Sequence, residues 1–198
     1  WSKLLPHFQV DPSALAAELC EFLRQRMLSL LEEVGTDIDL VQAVAGETVL
    51  IERLLSDPAD ARMRADLLVE MRRTGELLAV QAVVTRAARL AEKGDLPADV
   101  LSAAEVVDPD LFEKACEAEM LKVLEALEPI SKDSSSERYS QLAEGLTSGS
   151  EALAAFFDGD QSVMVMTDDL AVRANRLNLL GILRNQAGVL ADFSQIKG

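Results

Sequence analysis

The chain has 198 residues, 49% of them hydrophobic and 27% charged, with 34 acidic against 19 basic side chains for a net charge of −15. There is enough apolar material to bury a core, which excludes a disordered acidic tail, and the average field repels a polyanion, which excludes indiscriminate nucleic-acid binding. Aromatics are only 4%, Leu and Ala dominate, and no alternating run of Val, Ile, Thr and Tyr marks a strand. The predicted class is all-α, a helical bundle.

The charge is uneven. Residues 51–93 carry eight basic and seven acidic side chains and form the one stretch that is not acidic, whereas 94–130 carry two basic against ten acidic ones. Cys20 and Cys116 sit far apart inside helical patterns and read as two reduced, packed thiols. No apolar run approaches the roughly 18–20 residues that span a bilayer, and no leader-type pattern opens the chain. It starts at Trp1 with no initiator Met, so we expect a piece of a longer polypeptide.

Residues 1–14, broken by Pro6 and Pro12, read as a lead-in linker before a helical region over 15–198. Ser13 is a candidate N-cap, and Leu15, Leu19, Phe22, Leu23, Leu30 and Leu31 mark one apolar stripe of a first helix that Gly35 ends. Asp37 then caps a short helix through Leu40, Val41 and Val44. Residues 47–56 form another, stopped by "SDPAD". Residues 60–93 carry a longer helical pattern that Gly75 interrupts, since glycine costs about 1 kcal/mol in a helix interior. "KGDLPADV" is a loop. Asp108 and Pro109 open the next helix, which runs to about Leu127 and is ended by Pro129. After the polar loop "SKDSSSERYS", helices are predicted over 139–146 and 151–157. "DGDQS" breaks the chain, and Thr167 or Asp168 caps a last helix over roughly 169–190. No internal repeat or coiled-coil heptad is present.

Material for catalysis is scarce. His7 is the only histidine, which leaves nucleophile triads and His-based metal sites without parts. Paired acids such as Glu32/Glu33 and Asp168/Asp169 read as a solvated face and a helix cap. No phosphate-cradling glycine loop is found, and "SDPAD" and "DGDQS" lack calcium-loop spacing. We therefore expect no catalytic residue, no metal and no cofactor in this segment.

The last helix differs. At about 100° per residue, Arg173 and Arg184 point within roughly 20° of each other and Arg176 about 60° to one side, with Asn175 and Asn178 flanking. Forked guanidiniums suit phosphate and base edges, and amides can read bases. The competing reading has these arginines paired with Asp168, Asp169 or neighbouring helices while the leucines build core.

A resemblance bears on that choice. Phe156-Phe157-Asp158, Val163-Met164-Val165-Met166, Asp168-Asp169, Ala171-Val172-Arg173, Asn175-Arg176-Leu177 and Ala191-Asp192-Phe193-Ser194 occur in the order found at the C-terminus of the bacterial-type glycyl-tRNA synthetase β subunit, which this chain resembles. "LCEFLRQRMLSLLEEVGTDIDLVQAVAG" and "VVDPDLFEKACEAEMLKVL" are similar to upstream segments of that subunit. The likeness covers most of residues 15–196 and is most specific over 151–198. The Asp-x-Ala-Val-Arg element resembles the signature of the all-helical DALR anticodon-binding domain. Two departures stand out: Gly159–Ser162 lengthens one turn, and the chain is more acidic than an RNA-binding surface suggests.

The resemblance implies a tRNA-binding module of a glycine–tRNA ligase. The whole enzyme joins glycine to tRNA-Gly using ATP in its catalytic α part, which partners or is fused to the β part. The segment itself would be non-catalytic and would hold the anticodon region through Arg173, Asn175, Arg176 and Arg184, with Arg72, Arg73, Arg86 and Arg89 either extending the basic track or forming a salt-bridged helix. A bacterial cytoplasm is the expected compartment, a plastid or mitochondrion the alternative. The other functional reading is a structural bundle that mediates synthetase subunit assembly without RNA contact.

Overall fold

Eight α-helices and two 3-10 turns, with no strand among the described residues 11–160 and 162–197, make up the computed structural model, as the composition predicts. The first helix (α1, Pro12–Glu33) begins inside the expected linker because Asp11, not Ser13, is its cap. The Asp11 carboxylate accepts the Ser13 amide, and Pro12 takes the first helical position, where its missing donor costs nothing. The rest of the lead-in segment, with Pro6 and His7, lies outside the described residues. Gly35, at φ 93°, ends α1 as expected.

Two short helices follow, α2 (Ile38–Ala45) and α3 (Ile51–Ser56). The long pattern over 60–93 divides at Gly75, at φ 88°, into α4 (Pro58–Thr74) and α5 (Glu76–Ala91). Residues 92–114 are irregular apart from a 3-10 turn, Pro109–Leu111, and it is this turn that Asp108 caps. The next helix (α6, Ala115–Lys132) therefore starts later than predicted. It also passes through Pro129 instead of stopping there, because a proline in the last turn forfeits only one hydrogen bond.

The second helical hairpin corrects another expectation. Residues 138–155 form one unbroken helix (α7, Arg138–Ala155) where two were predicted. Gly145 and Gly149 are contact points here and not breaks. A Cβ on Gly145 would come 2.6 Å from Leu127 Cδ2, and one on Gly149 would come 2.7 Å from Val123 Cγ1, so the missing side chains let α7 lie directly on α6. The last helix (α8, Leu170–Gly188) is capped by Asp169, one residue beyond the two candidates.

α8 is the centre of the molecule. It packs on α5 and α6, α6 pairs with α7, and α7 also touches α4 and α5. The α5 and α8 axes run antiparallel: a Cβ on Gly94 would approach Leu177 Cβ to 3.1 Å, while Thr85 donates to the Phe193 carbonyl further back along α5. α1 to α4 form the other end, closed by the tail after α8, whose 3-10 turn Phe193–Gln195 packs on α2 and α5. Both cysteines are reduced, Cys116 buried and Cys20 half-buried. No helix among the described residues is long and apolar enough to cross a membrane.

Candidate nucleic-acid interface

Buried polar groups need partners, and a helix at the centre of a bundle that carries Asn175, Arg176, Asn178, Arg184, Asn185 and Gln186 must find them internally. Most come from the irregular segment 92–114, whose backbone has no ladder of its own. Asn175 exchanges two hydrogen bonds with the Asp108 backbone, accepting its amide at 2.7 Å and donating to its carbonyl at 2.9 Å. Asn178 donates to the Val106 carbonyl at 2.5 Å. Asn185 reaches the carbonyls of Pro97 and Val100, both at 2.8 Å, and Gln186 those of Leu101 and, within α6, Leu124. Arg184 Nη2 donates to the Leu96 carbonyl at 3.0 Å. The amides flanking the arginine stripe thus strap a long loop onto α8.

Arg176 is buried in an ion cluster. Its Nε meets Glu117 Oε1 at 2.8 Å, its Nη2 meets Glu113 at 2.7 Å, and its Nη1 donates to the Met164 carbonyl at 3.1 Å. Glu117 is fully buried and also accepts the amides of Glu113 and Lys114, which caps α6. Burial alone would raise the Glu117 carboxyl, but the Arg176 guanidinium and those two amides outweigh it and hold it below the usual carboxylate range. Burial likewise opposes charge on Arg176, and the two glutamates more than offset it. The guanidinium expected to face outward is therefore committed to neighbouring carboxylates, and the Asn175 side chain is committed to the Asp108 backbone.

The same use of arginine recurs at the other end. Arg64, fully buried, joins Asp60 at 2.8 Å to the carbonyls of Val44 and Leu190. Arg53 bonds the Val189 carbonyl and the Tyr139 hydroxyl, which itself donates to Asp60. Arg24 donates to the carbonyls of Ala45, Gly46 and Val49. Arg72 is clamped by Asp37 and Asp39, and Arg73 pairs with Glu70. Of the proposed extension of the basic track, Arg72 and Arg73 are salt-bridged, and Arg86 pairs with Asp158 at 2.8 Å while lying over the Phe157 ring.

The cationic side chains with neither a hydrogen bond nor an ion pair among the described residues are Arg26, Arg89, Lys93, Arg173 and Lys197. Three of these collect at one corner. Arg86 and Arg89 are exposed on α5 and Lys93 follows two residues past its end, where Gly94 approaches Leu177, one turn along α8 from Arg173. Met164, Met166 and Leu170 are exposed as well, and the acids Glu92, Asp95, Asp168 and Asp169 flank these cations in sequence. Lys93 was not singled out in the sequence; the step from Arg86 and Arg89 is the signal that finds it.

Fold and corner together define an all-helical module with a polar central helix, strapped internally, and a small mixed-charge basic surface. Glycine–tRNA ligase β subunits match it: that of Acaryochloris marina is 47% identical over 182 residues, covering 90% of this chain and 26% of that protein. Those of Picosynechococcus sp. and Acinetobacter baylyi are 42% and 32% identical over 94% and 95% of the chain. Over 90% or more of its length the chain is homologous to a fragment of glycine–tRNA ligase β subunits, and it spans about a quarter of the length of the curated relatives it matches. No family model matches it.

Proposed function

We propose that this chain is the tRNA-binding module of a glycine–tRNA ligase β subunit. It holds the anticodon region of tRNA-Gly while the whole enzyme, with its α subunit and ATP, attaches glycine. The cytoplasm of a bacterium is the setting that suits its relatives. The observation that carries the reading is Arg173: it ends the Asp-x-Ala-Val-Arg element and is the one arginine of α8 with no partner among the described residues. Arg89 and Lys93 extend its charge across the α5–α8 seam. Asn175, Arg176 and Arg184 support that surface from beneath, through the loop and the α6 cap.

The test is a gel-shift titration of tRNA-Gly against a non-cognate tRNA, with the wild type and the triple variant R89A/K93A/R173A. Loss of at least tenfold in affinity with the helical signal intact is expected. Unchanged affinity would overturn the assignment and favour the assembly-only reading.

A further inference from the structure

Helix α1 is apolar on two opposite sides, and among the described residues only one of them is covered. At about 100° per residue, Arg24, Leu28 and Leu31 fall together, and they pack on α2, α3 and α4. Leu15, Leu19, Phe22, Leu23 and Leu30 fall within an arc of about 100° on the other side. Leu15 and Leu19 are 53% exposed and Phe22 60%. Val34 and Ile38, just past the helix end, are exposed as well. A helix apolar on both sides belongs between two layers, and five exposed apolar side chains in one arc, with only Arg26 and Glu33 as polar residues among them, are unlike the single surface leucines normal for a soluble domain.

The strip has a charged border. Glu18, Glu21 and Glu32 line one flank, and neither Glu18 nor Glu32 has a side-chain partner among the described residues. The covering surface is therefore apolar, with a basic edge along the glutamate flank and an acceptor for Arg26, which lies within the strip. A second copy of this chain would bring the same acidic flank and another net charge of −15 against the first. The relatives, by contrast, are about four times as long as the matched stretch, so most of a β subunit lies outside it. Interfaces between domains of one chain bury roughly 600–1,500 Å², within the reach of a helix of about six turns.

We propose that this face of α1 is the seam on which the remainder of the β subunit packs, through an amphipathic helix whose apolar face is bordered by Lys or Arg. The inference rests on the homology to β subunits and is independent of where RNA binds. Its test uses the full-length β subunit with its α subunit present, carrying a benzophenone photo-crosslinker at Phe22. The expected product is an intrachain crosslink to a segment outside this one, with apolar residues at helical spacing and flanking Lys or Arg. A crosslink to the α subunit or to a second β chain overturns the proposal, as does no crosslink at all. Leu19→Glu in the same full-length chain is a second reading: at least tenfold faster amide exchange is expected in both α1 and the crosslinked segment, and unchanged exchange in the latter also overturns it. The tRNA affinity of R89A/K93A/R173A is measured separately, so either proposal can fail alone.

Discussion

Arg173 and Arg176 stand three residues apart on one helix in opposite surroundings, the first with no side-chain bond among the described residues and the second enclosed by carboxylates. Removing the Arg176 guanidinium leaves Glu117 charged and fully enclosed, and breaking a buried pair on one side costs about 3–5 kcal/mol. Arg176→Ala should therefore lower the urea midpoint sharply or prevent folding. Arg173→Ala removes no internal bond and should stay within about 0.5 kcal/mol of wild type while weakening RNA binding. Equal stability losses in the two variants would refute this division. A second residue-scale prediction concerns acid. Hydrogen bonds from Arg72, aided by the Lys197 amide, outweigh burial and hold the Asp39 carboxyl down at about 2, against an ordinary 3.8. A depressed carboxyl contributes stability above its unfolded value and loses it as pH falls through its folded value. The shift corresponds to about 2 kcal/mol, lost between about pH 4 and pH 2. Arg72→Met should flatten that part of the stability–pH curve, measured by urea titration at each pH.

At the scale of elements, the α6–α7 contact turns on glycine. In an isolated helix Gly→Ala gains about 1 kcal/mol. At Gly149 the new methyl meets Val123 Cγ1 at 2.7 Å, and a β-branched side chain in a helix has almost no second rotamer to retreat to. Gly149→Ala should therefore destabilise by about 1–3 kcal/mol, and Val123→Ala in the same chain should recover part of the loss. A rise in melting temperature for the single variant would contradict the packing account. These glycines also show what the sequence withheld. Helix starts were legible wherever a short polar side chain caps, as at Asp11, Asp57 and Asp169, to within a residue or three. A glycine inside a pattern was ambiguous, because breaking a helix at Gly75 and seating one at Gly149 use the same letter. What separates them is the partner helix, which local sequence does not contain.

On the scale of the whole molecule, the all-α class was readable from composition, and the arginine stripe of α8 was readable as a pattern but not as a surface. Polar residues at helical spacing look solvent-facing until the burial of α8 is known; then the 23-residue irregular stretch 92–114 explains them, since its carbonyls must be answered by something. The same view sets expectations for binding. Three cations among four acids on a chain of net charge −15 make a small footprint. The logarithm of tRNA affinity should fall with the logarithm of salt by a slope of only about 2–3, at roughly 0.7–0.9 per phosphate contact, and Arg173→Ala should reduce that slope by about one. A slope twice as steep would mean that other surfaces carry the contact.

Arg64 receives one of its acceptors from Leu190, 126 residues further along the chain, and Arg53 takes the Val189 carbonyl 136 residues on. On the ribosome, then, α3 and α4 are translated long before the groups that complete their interior exist. A nascent chain stalled short of residue 189 would hold guanidiniums with unmet hydrogen-bonding capacity in its half-built centre, an exposed state suited to chaperone capture. A truncation near residue 189 would thereby be felt in α3 and α4, helices far from the cut in sequence.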